Sequence, residues 1–271
     1  MALIPPLFLN AVVTIGDRDP EGIVSWVATG FFIGTPAPDE PGRYGTWLVT
    51  NRHVVEGLTN PVIRLNPIGS DPAQEMNLRI NDETGNPLWT FHASEDIDVA
   101  ITAIPLGHES LTGFERNFFE LDNHALNIAQ LKESGISEGS HVVVMGFPMQ
   151  IIGAVRKAVL VRSGSIAQIS DLLSGYLPTF LVDATVLPGN SGGPVVNLPE
   201  MIAIQGTKNQ ATSNLIGIIS AYLPYQEVAV SPQTGRTRVV FEENSGLGIV
   251  YPVDAILQTI ELARVRAASA E

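Results

Sequence analysis

Short apolar runs recur along the chain, and Gly, Pro, Asn or Asp ends each of them. Ala11–Ile15, Gly30–Ile33, Trp47–Thr50, Val62–Leu65, Val99–Ile104, His141–Met145, Ala158–Arg162, Phe180–Ala184, Ile202–Gln205, Ile216–Ser220 and Gly248–Tyr251 read as strands. Many short strands with turn signals between them predict an all-β sandwich or barrels. Strands and helices do not alternate, which argues against a parallel α/β sheet. Asn66–Trp89 and Gly107–Ser140 are polar and read as loops or insertions, the second with an apolar stripe of Leu121, Ile128 and Leu131. That second stretch falls where a linker between two β units belongs, so the chain divides into 1–120, 121–252 and a tail of 253–271. The tail is a helix: Val253, Ile256, Leu257 and Ile260 repeat at the spacing of one buried face. Asp254 in its first turn and Arg264 and Arg266 in its last suit the helix dipole.

Composition narrows the function classes. With 45% hydrophobic and 16% charged residues, the 271-residue chain has the material for a sizeable core. A net charge of −13 repels phosphate backbones, so nucleic acid is a poor partner. No apolar run reaches the roughly 18 residues of a membrane span. The absence of cysteine excludes disulfides, thiolate catalysis and Cys-based metal sites. Met1–Ile15 has no Lys or Arg ahead of its apolar part and no small-residue cleavage site, so it reads as a first strand rather than a leader. Together these point to the cytoplasm. The apolar stretch Met1–Leu9 offers a surface on which a second copy would dock, the one hint of an oligomer.

The strongest chemical signal is Leu187-Pro-Gly-Asn-Ser-Gly-Gly-Pro194, where three glycines and two prolines demand an unusual backbone path. A serine at the centre of such a loop is presented outward. The N–H groups of Gly189 and Ser191 then aim at one spot, as an oxyanion hole requires. A hydroxyl needs a base. Of the five histidines, His53 stands out, because the apolar run from Trp47 leads directly into it. His92, His108 and His124 lie in polar stretches and read as surface residues, while His141 opens a strand. A catalytic imidazole needs an orienting carboxylate. Asp98 begins the run Val99–Ile104, whereas Asp96 falls in the turn before it. Each residue alone has a plainer reading: a tight turn, a structural histidine, a turn aspartate.

Taken together, these segments carry a likeness. Thr50-Asn-Arg-His-Val-Val55, Asp98-Val-Ala-Ile101, Val144-Met-Gly-Phe-Pro148, Gly189-Asn-Ser-Gly-Gly-Pro194, Ile216-Gly-Ile218 and Gly248-Ile-Val-Tyr-Pro252 occur in one order along the chain. In this the chain resembles the trypsin-like serine peptidases, and among them the bacterial HtrA/Deg proteases and the glutamyl endopeptidases. The resemblance implies two antiparallel six-stranded β-barrels with the site in the cleft between them, followed by the C-terminal α-helix. It implies a triad of His53, Asp98 and Ser191 and an oxyanion loop of Gly189, Asn190 and Ser191. It implies a protein or peptide substrate and no metal or organic cofactor. His, Asp, Ser is one of the chain orders in which this triad occurs.

Departures from the family pattern matter as well. Asn190 stands where digestive members carry an Asp that pairs with a freed N-terminal amine, so that route of activation is closed. No PDZ domain follows the protease unit. The resemblance places the specificity pocket at Thr185, Val186, Ser220, Ala221 and Tyr222. None of these is charged, which predicts a small or medium apolar side chain before the scissile bond. Two alternatives stand beside the endopeptidase: a binding or scaffold protein on the same fold, and an acyl hydrolase. The second is the weaker, because in the α/β hydrolases His comes last in the chain.

Overall fold

The computed structural model describes residues 4–37, 40, 42–200 and 207–268. The predicted strand Ile202–Gln205 lies outside the described residues. Residues Met1–Ile15 do not form one strand. A short helix α1 (Pro6–Ala11) opens with proline in its first turn, where a missing N–H costs nothing. Its Phe8 packs on Phe119, with ring centroids 4.5 Å apart.

The N-terminal strands are β1 (Val12–Arg18), β2 (Val24–Pro36), β3 (Tyr44–Thr50), β4 (Pro61–Leu65), β5 (Gln74–Asn77), β6 (Trp89–Phe91), β7 (Ala100–Ala103) and β8 (Phe119–Glu120). They form an eight-stranded sheet in the order β5-β4-β1-β2-β3-β7-β6, with β8 beside β2. This sheet is not the closed six-stranded barrel expected. Its end strands come from the polar stretch after Asn66, are short and do not pair with each other; the segments between them meet in the turn around Asp82, an isolated Asn81–Pro87 bridge, the Leu88 N–H on the Ile80 carbonyl at 2.8 Å and Trp89 Nε1 on the Arg79 carbonyl at 3.2 Å.

The second unit does close. Strands β9 (His141–Gly146), β10 (Leu160–Gln168), β11 (Phe180–Asp183), β12 (Pro194–Asn197), β13 (Leu215–Val230) and β14 (Thr237–Pro252) form a six-stranded barrel in the order β10-β11-β14-β13-β12-β9. Helices α2 (Arg52–Glu56), α3 (Ile128–Ser134), α4 (Ser170–Ser174) and α5 (Val253–Ala268) complete the fold. The predicted stripe of Leu121, Ile128 and Leu131 is not one helix face. Leu121 precedes α3, which starts at an Asn127–Gln130 capping box.

Strand alternation explains why the apolar runs are nearly continuous. Val142 and Val144 point into the barrel, while Val143 and Met145 point into the core between the units. Phe32 and Leu48 face the interior of the first unit, and Phe31, Ile33 and Val49 face the shared core. Strands buried on both faces need apolar residues at both parities. Helix α5 seals the shared core with Val253, Ile256 and Ile260. Leu257, expected on that face, is 36% exposed, and Ala255 and Thr259 are buried instead. Among the described residues no helix is long and apolar enough to cross a membrane.

Candidate active site

His53 does not end a strand; it is the second residue of α2, directly after β3. Asn51, fully buried before the helix, donates from Nδ2 to the Asp98 carbonyl at 2.7 Å. That bond ties the start of α2 to the segment leading into β7. Across the same gap the Asp98 carboxylate accepts from the His53 N–H at 3.0 Å and pairs with His53 Nδ1 at 2.7 Å. An acceptor on the Nδ1 side sets the proton there and leaves a lone pair on Nε2. Asp98 Oδ2 also accepts from Ser220 Oγ at 2.5 Å. Burial pushes the Asp98 carboxyl up, but the His53 ring, the Ser220 hydroxyl and the His53 N–H together outweigh it, so it sits below its ordinary value. The His53 side chain is 51% exposed and that of Asp98 20%, so the ring looks outward from a partly buried anchor.

The segment from Leu187 to Gly193 follows the tight path its glycines predict. Gly189 has φ +97°, and a Cβ there would lie 2.5 Å from the Phe147 carbonyl oxygen. Gly192 has φ +82°, and a Cβ would lie 2.1 Å from the Thr29 carbonyl oxygen. Only glycine fits either position. Each peptide of the loop is pinned. The Pro188 carbonyl accepts from the Met149 N–H at 2.8 Å. In a trans peptide the N–H of Gly189 then points the opposite way. The Gly189 carbonyl accepts from Thr29 Oγ1 at 2.6 Å. The N–H groups of Gly189 and Ser191 meet no acceptor among the described residues. Asn190, grouped with them from the sequence, takes a different part. Its N–H donates to the Leu187 carbonyl at 2.9 Å, and its Oδ1 accepts from the Leu187 N–H at 3.1 Å. It orders the loop from inside and offers no outward donor.

Thr29 is the residue that sequence reasoning missed. Fully buried in β2, it reaches across to the second unit. Its N–H donates to the Ser191 carbonyl at 2.9 Å, and its Oγ1 accepts from the Phe147 N–H at 3.0 Å. Its own carbonyl accepts from Thr50 Oγ1 at 2.8 Å. A buried threonine in an apolar strand was the available signal, since such a hydroxyl must have partners.

Ser191 and His53 line one cavity of about 390 Å³, together with Asp17, Ser25, Val27, Ala28, Val54, Gly57 and Leu58. Ser191 Oγ donates to the Ser220 carbonyl at 3.0 Å, and no hydrogen bond joins it to His53. The five predicted pocket residues do not line this cavity. Thr185 and Ala221 are exposed, while Tyr222 is half-buried with its hydroxyl on Glu242 at 2.9 Å. Val186 is buried in the barrel core, and Ser220 anchors Asp98. Among the other histidines, His108 and His141 are exposed. His92 is buried, with Nε2 2.9 Å from Gln258 Oε1, and His124 is half-buried against the Phe8 ring. The polar sequence around these two conceals a contact with α5 and one with α1.

Comparison with known proteins gives a domain-level match. A family model described as the trypsin-like peptidase domain matches residues 28–201. No curated protein matches the chain. Among solved structures, a crystal structure of the Rv3671c protease in its inactive form is similar, at 17% identity and a TM-score of 0.45, over 94% of this chain and 90% of that one.

Proposed function

The chain belongs to the trypsin-like peptidase domain family, and on that premise we propose that it is a serine endopeptidase using His53, Asp98 and Ser191. The observation that carries the reading is a single arrangement: His53, paired with Asp98 at 2.7 Å, lines the same cavity as Ser191, whose own N–H and that of Gly189 meet no acceptor among the described residues. Three roles of acyl transfer are thereby supplied by neighbouring groups.

The chemistry follows from the proton positions. Ser191 Oγ turns from the Ser220 carbonyl toward His53 and attacks the peptide carbonyl carbon as Nε2 takes its proton. Asp98 holds the imidazolium through Nδ1. The oxyanion forms where the Gly189 and Ser191 N–H groups point, and bonds to them strengthen as charge develops. His53 returns the proton to the leaving amine, and an acyl-enzyme remains on Ser191. Water, deprotonated by His53, then releases the acid and restores the hydroxyl.

The side chain before the scissile bond is proposed to be small or medium and apolar. None of Thr185, Val186, Ser220, Ala221 and Tyr222 carries a charge. A cleavage profile dominated by Arg, Lys or Glu would overturn that preference.

A second reading rests on one contact. The Ser191 hydroxyl bonded to the Ser220 carbonyl favours a protein that is silent until an effector or substrate turns the serine toward His53. Fluorophosphonate labelling of the wild type and Ser191→Ala, with casein cleavage in parallel, separates the two. Labelling and cleavage that vanish in Ser191→Ala support the endopeptidase. A folded wild type that refuses the probe supports the gated form.

A further inference from the structure

Strands β13 and β14 run far beyond the barrel they help to close. β13 has β12 beside it only as far as Ile218, and β14 has β11 beside it only from Leu247 onward. Between those limits the two pair with each other alone, Pro224 opposite Asn244 and Tyr225 opposite Glu243, then Glu227 opposite Phe241 and Ala229 opposite Val239. The result is a two-stranded arm whose edges, from Tyr225 to Glu243, have no other strand beside them among the described residues. A two-stranded ribbon is marginal in water on its own. This one nevertheless exposes large apolar side chains, among them Tyr225 (53%), Val228 (53%), Val240 (50%) and Phe241 (56%). Opposite partners share a face, so Tyr225, Ala229, Val239 and Phe241 form one patch with Glu227 and Glu243 set among them, four apolar side chains interleaved with two carboxylates. Large apolar side chains left exposed beside unpaired strand edges mark a contact surface.

The course of β13 identifies the occupant. At Ile219 one edge of the strand bonds the nucleophile loop: the Ile219 N–H donates to the Gly193 carbonyl at 2.8 Å, and the Ile219 carbonyl accepts from the Gly192 N–H at 2.9 Å. One residue later the Ser220 carbonyl accepts from Ser191 Oγ. From Ala221 outward that same edge has no strand beside it among the described residues. A polypeptide whose scissile bond lies at Ser191 is therefore already alongside the open edge. Every strand pair of the barrel is antiparallel. A chain that adds to β13 in the same sense runs from the arm's tip toward Ser191. The residues that lie along the arm are then those on the N-terminal side of the cleavage point.

We propose that the β13–β14 arm is a distal substrate-binding site that takes the extended segment N-terminal to the scissile bond as a third strand, with apolar side chains at alternate positions on the Tyr225–Phe241 patch. The inference rests on the endopeptidase reading and deepens it. Main-chain bonds along the edge supply affinity, and alternate side chains supply selectivity. Only a chain able to lie extended over this length meets both.

Two fluorogenic peptides test it. They share the four residues before the cleavage point, and the longer carries eight further N-terminal residues alternating valine and threonine. In the wild type the longer peptide has a KM about tenfold lower, as a few added cross-strand pairs provide. Replacing residues 225–243 with Asn-Gly removes the difference and leaves kcat and KM for the short peptide unchanged. Val239→Thr with Phe241→Thr, which retains the arm, lowers the advantage by at least half. Equal KM values in the wild type, or an advantage that survives truncation, overturn the proposal. So does a dimer by light scattering that truncation abolishes, since the arm then serves a second copy. If neither peptide is cleaved, the endopeptidase reading fails by itself, and anisotropy of the labelled peptides on Ser191→Ala still decides the arm. Tighter binding of the longer peptide that is lost on truncation supports it, and equal binding overturns it.

Discussion

Thr29→Val isolates the contact that crosses from the first unit to the Leu187–Gly193 loop, which the proposed mechanism makes the nucleophile loop. Valine keeps the shape of the side chain and removes its hydroxyl. That hydroxyl donates to the Gly189 carbonyl at 2.6 Å and accepts from the Phe147 N–H at 3.0 Å, in a residue with no solvent exposure. Two backbone groups lose their partner. A buried polar group left unpaired costs about 1–3 kcal/mol, so with two such groups the intact loop geometry is destabilised by about 2–6 kcal/mol. The loop escapes that cost by turning the Gly189 carbonyl toward water. The turn pulls the Asn190 N–H off Leu187 and moves the two amides that flank it. Loss of one oxyanion donor lowers the rate by about 10²–10³-fold. We expect kcat for a short peptide amide to fall about 10²-fold, with KM within a few-fold, because Val27, Leu58 and the other cavity walls are untouched. Affinity for a peptide aldehyde should fall in parallel with kcat/KM. Thr29→Ser restores the hydroxyl and should restore most of kcat. Denaturant melting verifies that each variant is folded under assay. A Thr29→Val enzyme within twofold of the wild type, or a Thr29→Ser enzyme as impaired as Thr29→Val, refutes the reasoning.

Other perturbations separate the parts. Asp98→Asn keeps the shape but offers His53 an amide in place of the carboxylate; kcat should drop about 10⁴-fold, read with a short peptide substrate, and a smaller loss than tenfold contradicts the assigned role. Gly192→Ala puts a Cβ 2.1 Å from the Thr29 carbonyl oxygen on a backbone of φ +82°, so both labelling by fluorophosphonate and at least about 2 kcal/mol of stability should be lost. Lys157 gives a signature in pH. Burial depresses its ammonium from 10.5 to about 8, while its Nζ donates to the Asn10 and Val12 carbonyls at 3.0 and 2.5 Å. The unfolded chain holds that proton up to its ordinary range, so the Lys157 contribution to stability is least favourable below pH 8 and becomes more favourable as pH climbs from about 8 to about 10.5, by about 3 kcal/mol. Urea midpoints across this window should rise for the wild type and lose that component in Lys157→Met.

What could be read from the sequence depended on what each segment buries. The runs at Val142–Met145 and Trp47–Thr50 were legible because both faces of those strands are covered, which makes the apolar residues consecutive. The loop at Leu187–Pro194 was legible because its path needs glycine at Gly189 and Gly192, a demand on backbone angle that composition records directly. His53 and Asp98 were legible as a pair only through their order and context. Their meeting depends on Asn51 and on the ends of β3 and β7, and neither residue states that distance alone. The arm at Leu223–Asn244 escaped because it has no buried face among the described residues, so no core imposes a period on it. Its Val, Tyr and Phe residues suit a strand, but the surface that would give them a period is proposed to arrive with the substrate. The same logic covers Asn190, which the sequence grouped with Gly189 and Ser191 as one oxyanion unit. Neighbouring peptides in a tight turn point in opposite directions. The N–H of Asn190 is fastened to Leu187, while the N–H groups of Gly189 and Ser191 on either side of it meet no acceptor among the described residues.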